Sequence, residues 1–218
     1  MNILFVSHAA NRSGAPLVLL ELLRYLRRET AHQATILCLR EGPLSDEFAR
    51  VADVLTPTAP FVRASKIAAA RRRINDWGFG PTGQLDTAAW ALERLNGRQS
   101  RAKARHLSAD FNLIYLNSVA SGDVLPALEP MFRSAPLLTH VHELEWAIDG
   151  LGSAWNEVKK RSHGFVAVSE AVKTHLVEAR GVVGEKIDTV HEFLDFDALQ
   201  TDREAARIEL RARLRLPS

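Results

Sequence analysis

Seven short apolar runs recur along the chain, at residues 3–6, 35–39, 51–55, 113–117, 137–141, 164–168 and 187–191. They are continuous rather than alternating, as strands covered on both faces are. Between them, apolar positions recur at helical spacing over 16–28, 45–52, 122–132, 154–161 and 170–179. Strand-length runs alternating with helix-length patterns predict an α/β fold, a doubly wound, mostly parallel, Rossmann-like sheet.

The first helical pattern is informative in detail. Glu21, Arg24 and Arg28 fall on one narrow polar stripe, which predicts a mostly buried helix. Ser13 is the expected N-cap, and Pro16 falls in the first turn, where its missing N–H costs nothing. A strand, a small-residue loop and a helix N-terminus in that order make a ready anion site. No G-x-G-x-x-G and no Walker lysine accompanies Gly14. That disfavours a dinucleotide or P-loop site, and a tight turn needing one glycine explains the loop equally well.

One segment breaks the rhythm. Residues 61–106 hold ten Lys and Arg against three acids, so this stretch carries +7 within a chain of net charge +2. The rest of the chain therefore carries −5. Arg71, Arg72 and Arg73 lie beside Trp77 in a glycine-rich surrounding. A solvated basic face is one reading; a surface that docks anionic lipid or an anionic acceptor is the other. Nothing in the sequence supports nucleic acid as a partner, because no binding motif accompanies the charge. Cys38, the single cysteine, sits inside an apolar run and reads as a buried structural thiol. One cysteine and no secretory leader pattern suit a cytoplasmic protein. If the basic segment docks on lipid, the expectation becomes a peripheral protein at the inner face of the membrane.

Candidate chemistry gathers at the carboxyl ends of the predicted strands, where open α/β sheets place ligands. Besides Ser13, Gly14 and Ala15, these are His140, His142 and Glu143; Ser169 and Lys173; and His191 and Glu192. Two histidines two apart on a strand share a face. Metal binding by His140, His142 and Glu143 lacks a further ligand at suitable spacing, so no metal is expected. A neutral imidazole there suits a hydrogen bond to a substrate hydroxyl or phosphate instead. Ser169 has a complete bland role as a helix cap.

Four segments carry a resemblance. They are Asn2–Val6 with Ser13–Leu22, Thr139–Leu144, Phe165–Lys173 and Arg211–Pro217. In this order and spacing they resemble the retaining GT-B glycosyltransferases of the group 1 family (glycosyltransferase family 4). The resemblance covers essentially the whole chain, with the basic segment matched least. It implies one half of a GT-B fold: residues 1–198 as the amino-terminal, acceptor-side domain and 199–218 as a helical linker towards a carboxy-terminal donor domain.

The resemblance further implies transfer of a sugar from a nucleotide-sugar to a glycan or lipid-linked acceptor, with retention and no cofactor. Carried over by position, Gly14 lets backbone amides approach the donor diphosphate, and His142 contacts the transferred sugar. Ser169 and Lys173 fall near the cleft. Two departures stand out. The loop reads Ser13-Gly14-Ala15 where the family carries paired glycines, and His191-Glu192 stands where an Asn-Gly pair is usual. Without a donor domain the chain alone is expected to be inactive in transfer. The alternative from another class is a stand-alone Rossmann-like domain that binds a ligand without chemistry.

Overall fold

The computed structural model describes residues 1–55, 110–129, 131, 135–193 and 203–215. Seven strands run as β1 Asn2–Ser7, β2 Gln33–Cys38, β3 Asp53–Leu55, β4 Leu113–Asn117, β5 Leu137–Val141, β6 Gly164–Ala167 and β7 Ile187–Thr189. All pair in parallel, in the order β3-β2-β1-β4-β5-β6-β7. The chain winds outward from β1 to one edge, returns to pair β4 with β1, and winds outward to the other edge. The point of reversal, between β1 and β4, is where a doubly wound sheet opens a crevice.

The helices are α1 Gly14–Glu29, α2 Ser45–Val51, α3 Leu125–Leu128, α4 Glu145–Gly150, α5 Gly152–Arg161, α6 Glu170–Glu178 and α7 Arg203–Leu214. On one face of the sheet, Leu19, Leu20 and Leu23 of α1 and Phe48 of α2 pack with Ile3, Phe5, Ile36 and Tyr115. On the other face, Trp155 and Val158 of α5 and Val172 and Leu176 of α6 pack with Leu4, Val6, Leu116 and Phe165. Both faces being covered explains the continuous apolar strands.

Several boundaries differ from the sequence reading. Helix α1 is buried over its first half only; Tyr25 and Arg27 are exposed on its last turns. Its polar stripe serves as a tie to α2, since Arg24 bridges Glu21 and Glu47. Where a helix over 122–132 was expected, the described residues form a 3₁₀ segment, Val119–Val124, followed by the single turn α3. A Cβ on Gly122 would lie 2.4 Å from the Ala154 carbonyl oxygen, so the backbones of this segment and α5 are in direct contact. Val51 ends α2 rather than opening β3. Helix α4, only six residues long, shows too little periodicity to be read from sequence. Strand β7 stops at Thr189, so His191 and Glu192 lie beyond the sheet. Cys38 is buried as expected, its thiol against the Arg40 carbonyl oxygen at 3.0 Å.

Candidate functional site

The register aligns Ser7, Asn117 and His140 across the carboxyl ends of β1, β4 and β5, and all three are buried. Buried polar groups need partners, and theirs build the site. Asn117 donates from Nδ2 to the Ala15 carbonyl oxygen at 2.9 Å, tying the end of β4 to the first turn of α1. Its Oδ1 faces His142 Nε2 at 3.2 Å. The other ring nitrogen of His142 lies 2.8 Å from Glu192 Oε1. A chain of side chains thus runs from the segment after β7, across the strand ends, to α1.

Glu143 points inward. Its carboxylate accepts from the Ser118 hydroxyl, from the Val119 N–H at 3.3 Å and from the His142 N–H at 3.0 Å. These bonds hold Ser118 at φ 87, a left-handed conformation that a serine adopts at a cost of about 1–3 kcal/mol. The strained turn begins the 3₁₀ segment directly after β4.

The His140 and His142 rings are in contact, centroids 4.1 Å apart and tilted by 45°. His140 Nδ1 is 2.7 Å from the Tyr115 hydroxyl. Burial, with the neighbouring His142 adding to it, pulls the His140 pKa down to about 3, so this ring is neutral at physiological pH. Burial likewise pushes the Tyr115 phenol up. His8, just past β1, is also held below the ordinary imidazole range by burial and then by Arg40.

The β1–α1 turn differs from expectation in one respect. Ser13 occupies the N-cap position, but its hydroxyl donates to Asn11 Oδ1 at 3.0 Å and makes no cap bond. Gly14 is exposed, and a Cβ built on it meets nothing within 4 Å. Nothing inside the described fold demands glycine there. Ser169, by contrast, caps α6, its Oγ accepting from the Val172 N–H at 3.3 Å. Lys173 is half-buried one turn further on.

Under the crevice a cavity of about 180 Å³ lies against the α1 side of the sheet, lined among others by Val18, Leu22, Tyr115, Val166, Val190 and Phe193. Asn117, His140, His191 and Glu192 also border it. The structure therefore brings Ala15, His140, His142, Glu143 and Glu192 into one connected cluster, with His191 exposed beside it. Ser169 and Lys173 belong to a separate turn. Arg71, Arg72, Arg73 and Trp77 lie outside the described residues. Among the described residues, no group of three or more His, Cys, Asp or Glu is placed to hold a metal ion. No described helix is long and apolar enough to cross a membrane.

Sequence reasoning missed Asn117, Ser118, Tyr115 and His8. The available signal was positional: Asn117-Ser118 ends an otherwise apolar strand run, and a polar pair at a strand's carboxyl end is a site marker in this architecture.

A doubly wound parallel sheet with its polar cluster at the switch point is the Rossmann-like domain on which GT-B glycosyltransferases are built. The chain belongs to glycosyltransferase family 4, whose model matches residues 12–198. Among solved structures it is similar to Anabaena HepE, crystallised with UDP and glucose, at 20% identity and TM-score 0.60, covering 98% of this chain and 50% of that one. A glycosyltransferase from Rickettsia africae matches at 18% identity and TM-score 0.53, with 100% of this chain and 50% of that one covered. The amino-terminal domain of a Candida albicans trehalose-6-phosphate phosphatase matches at 12% identity and TM-score 0.58, covering 97% and 54%. The chain thus spans about half the length of the structures it matches. No curated protein matches it in sequence.

Proposed function

We propose that this chain is the amino-terminal, acceptor-side half of a retaining glycosyltransferase. The enzyme moves a sugar from a nucleotide-sugar to a glycan or lipid-linked acceptor, and a second domain holds most of the donor. The observation that carries the reading is the family match joined to the switch-point cluster: Asn117, His142 and Glu192 linked to the first turn of α1.

The chemistry follows from charge. Breaking the bond between sugar and nucleoside diphosphate gathers negative charge on the leaving phosphate, and preorganised donors that meet it lower the barrier. In this reading the open N-terminus of α1 at Ser13, Gly14 and Ala15 faces the diphosphate, where helix N–H groups and dipole favour an anion. His142 stands beside the transferred sugar, with His191 and Glu192 bordering the same cleft. The neutral, buried His140 supports His142 from behind. Ser169 and Lys173 contribute at most at the rim, since the Ser169 hydroxyl is already committed to its helix. The apolar cavity against α1 and the basic, tryptophan-bearing segment around Arg71–Arg73 suit an acceptor with a lipid part at an anionic membrane surface of the cytoplasm. The helix α7 then leads towards the donor domain.

The test is a transfer assay on the product of the whole gene, with a panel of nucleotide-sugars. Transfer is expected for the whole product and none for this chain alone. His142→Ala is expected to lower kcat by a factor of about 100, the typical cost of one lost electrostatic group. Robust transfer by this chain alone would end the half-enzyme reading, and an unchanged kcat in His142→Ala would remove that residue from the chemistry.

A further inference from the structure

Both ring nitrogens of His142 face hydrogen-bond acceptors. On one side stands Glu192 Oε1, 2.8 Å from Nδ1. On the other stands Asn117 Oδ1, 3.2 Å from Nε2. The Asn117 amide has no freedom to turn. Its Nδ2 donates to the Ala15 carbonyl oxygen at 2.9 Å, and a flipped amide would set two carbonyl oxygens against each other. Oδ1 therefore faces the ring, and Nε2 must carry a proton to bond to it. An ionised carboxylate only accepts, so Nδ1 must carry one too. A neutral imidazole, with one proton, would set a lone pair against one of these oxygens in a site where the His142 side chain is only 10% exposed. A proton shared between a carboxylate and an imidazole rests on the imidazole, the stronger base.

We propose that Glu192 and Asn117 form a clamp that holds His142 as an imidazolium paired with the Glu192 carboxylate, with both clamp members acting as positioning residues. The surrounding groups fit this assignment. His140, whose ring lies tilted against that of His142, and His8 are both kept neutral, so no second imidazolium competes. The Glu143 carboxylate is already engaged by Ser118, the Val119 N–H and the His142 backbone N–H. Tyr115 stays protonated, Arg40 donates to the His8 carbonyl oxygen at 3.3 Å, and His191 is exposed next to Glu192. Glu192 comes from the segment just beyond β7. The clamp's consequence for catalysis rests on the glycosyltransferase reading: with both N–H groups engaged in the clamp, His142 keeps one fixed orientation beside the transferred sugar. The charge state itself does not depend on that reading.

The experiment is long-range ¹H–¹⁵N correlation spectroscopy of the histidine rings in the ¹⁵N-labelled chain at pH 7. His142 is expected to show two protonated nitrogens while His140 shows one protonated and one bare. In Glu192→Gln, His142 is expected to become neutral with far-ultraviolet circular dichroism unchanged, and Glu192→Asp to restore part of the imidazolium signal. A neutral His142 in the native chain, or an imidazolium that persists in Glu192→Gln, overturns the clamp. Should Glu192→Gln fail to fold, the native spectrum decides alone. No nucleotide-sugar enters the measurement, so failure of the clamp and failure of the transfer reading are read separately.

Discussion

Two strand-to-helix turns of this molecule share a serine at the N-cap and use it differently. At β6–α6, Ser169 caps the helix and the turn is complete in itself. At β1–α1, Ser13 gives its hydroxyl to Asn11, and the first turn of the helix is joined to β4 through Asn117 instead. The two regions around these turns differ in the same sense. Towards α5 and α6, backbones close on each other, as at Gly122 against Ala154. Towards α1 the β1–α1 loop is equally close at Ala10, against Gly42, but Gly14 meets empty space and polar side chains bond sideways to one another. The polar groups that bond across elements at the switch point lie where open α/β sheets place their ligands.

Acid should expose this difference most strongly. His140 is neutral in the folded cleft with its pKa near 3, whereas an unfolded histidine titrates near 6.5. The unfolded chain therefore takes up the proton first as pH falls, and stability present above about 6.5 is lost progressively towards 3. Urea midpoints at pH 7 and pH 4 should separate more for the native chain than for His140→Gln; equal separations would show the ring is not held neutral.

Packing should give the next largest contrast. Gly122→Ala forces a methyl onto a carbonyl oxygen and should cost about 3 kcal/mol. Gly14→Ala should be neutral or stabilise by up to about 1 kcal/mol, since alanine is the better helix former. Similar urea denaturation curves for the two variants would dissolve the distinction between closed and open regions. Asn117→Ala strips partners from the Ala15 carbonyl and His142 in a buried place, and a loss of about 2 kcal/mol is expected. Smallest is the contrast between the serines themselves: about 1 kcal/mol for Ser169→Ala and a few tenths for Ser13→Ala. A Ser13→Ala loss as large as that of Ser169→Ala would restore the capping role that the structure denies it.

Much of the fold was legible because its signals are local. Residues 113–117 and 137–141 read as strands with the bounds they have, since short, mostly apolar runs of that length between helix-length patterns have few other uses. The failures were also local in cause. Pro126 and the tight approach at Gly122 replaced an expected helix by a 3₁₀ segment and one turn, because contact with α5 overrides helical spacing. Of the site, the histidines and Glu192 stood out as polar residues at strand ends, while Asn117 and Tyr115 passed as the polar edge and the body of a core strand.

The amino-acid sequence by itself determined most of the elements, their order and the family, since periodicity and motif spacing are written within a few residues of each other. Only the tertiary structure decided who meets whom. Ala15 and Asn117 are 102 residues apart, and His142 and Glu192 are 50 apart. They meet because parallel strands pair across long stretches of chain, and because the reversal between β1 and β4 brings those strand ends to one crevice. The same pairing turned Glu143, which reads in sequence as a ligand group, inward to hold the strained turn at Ser118.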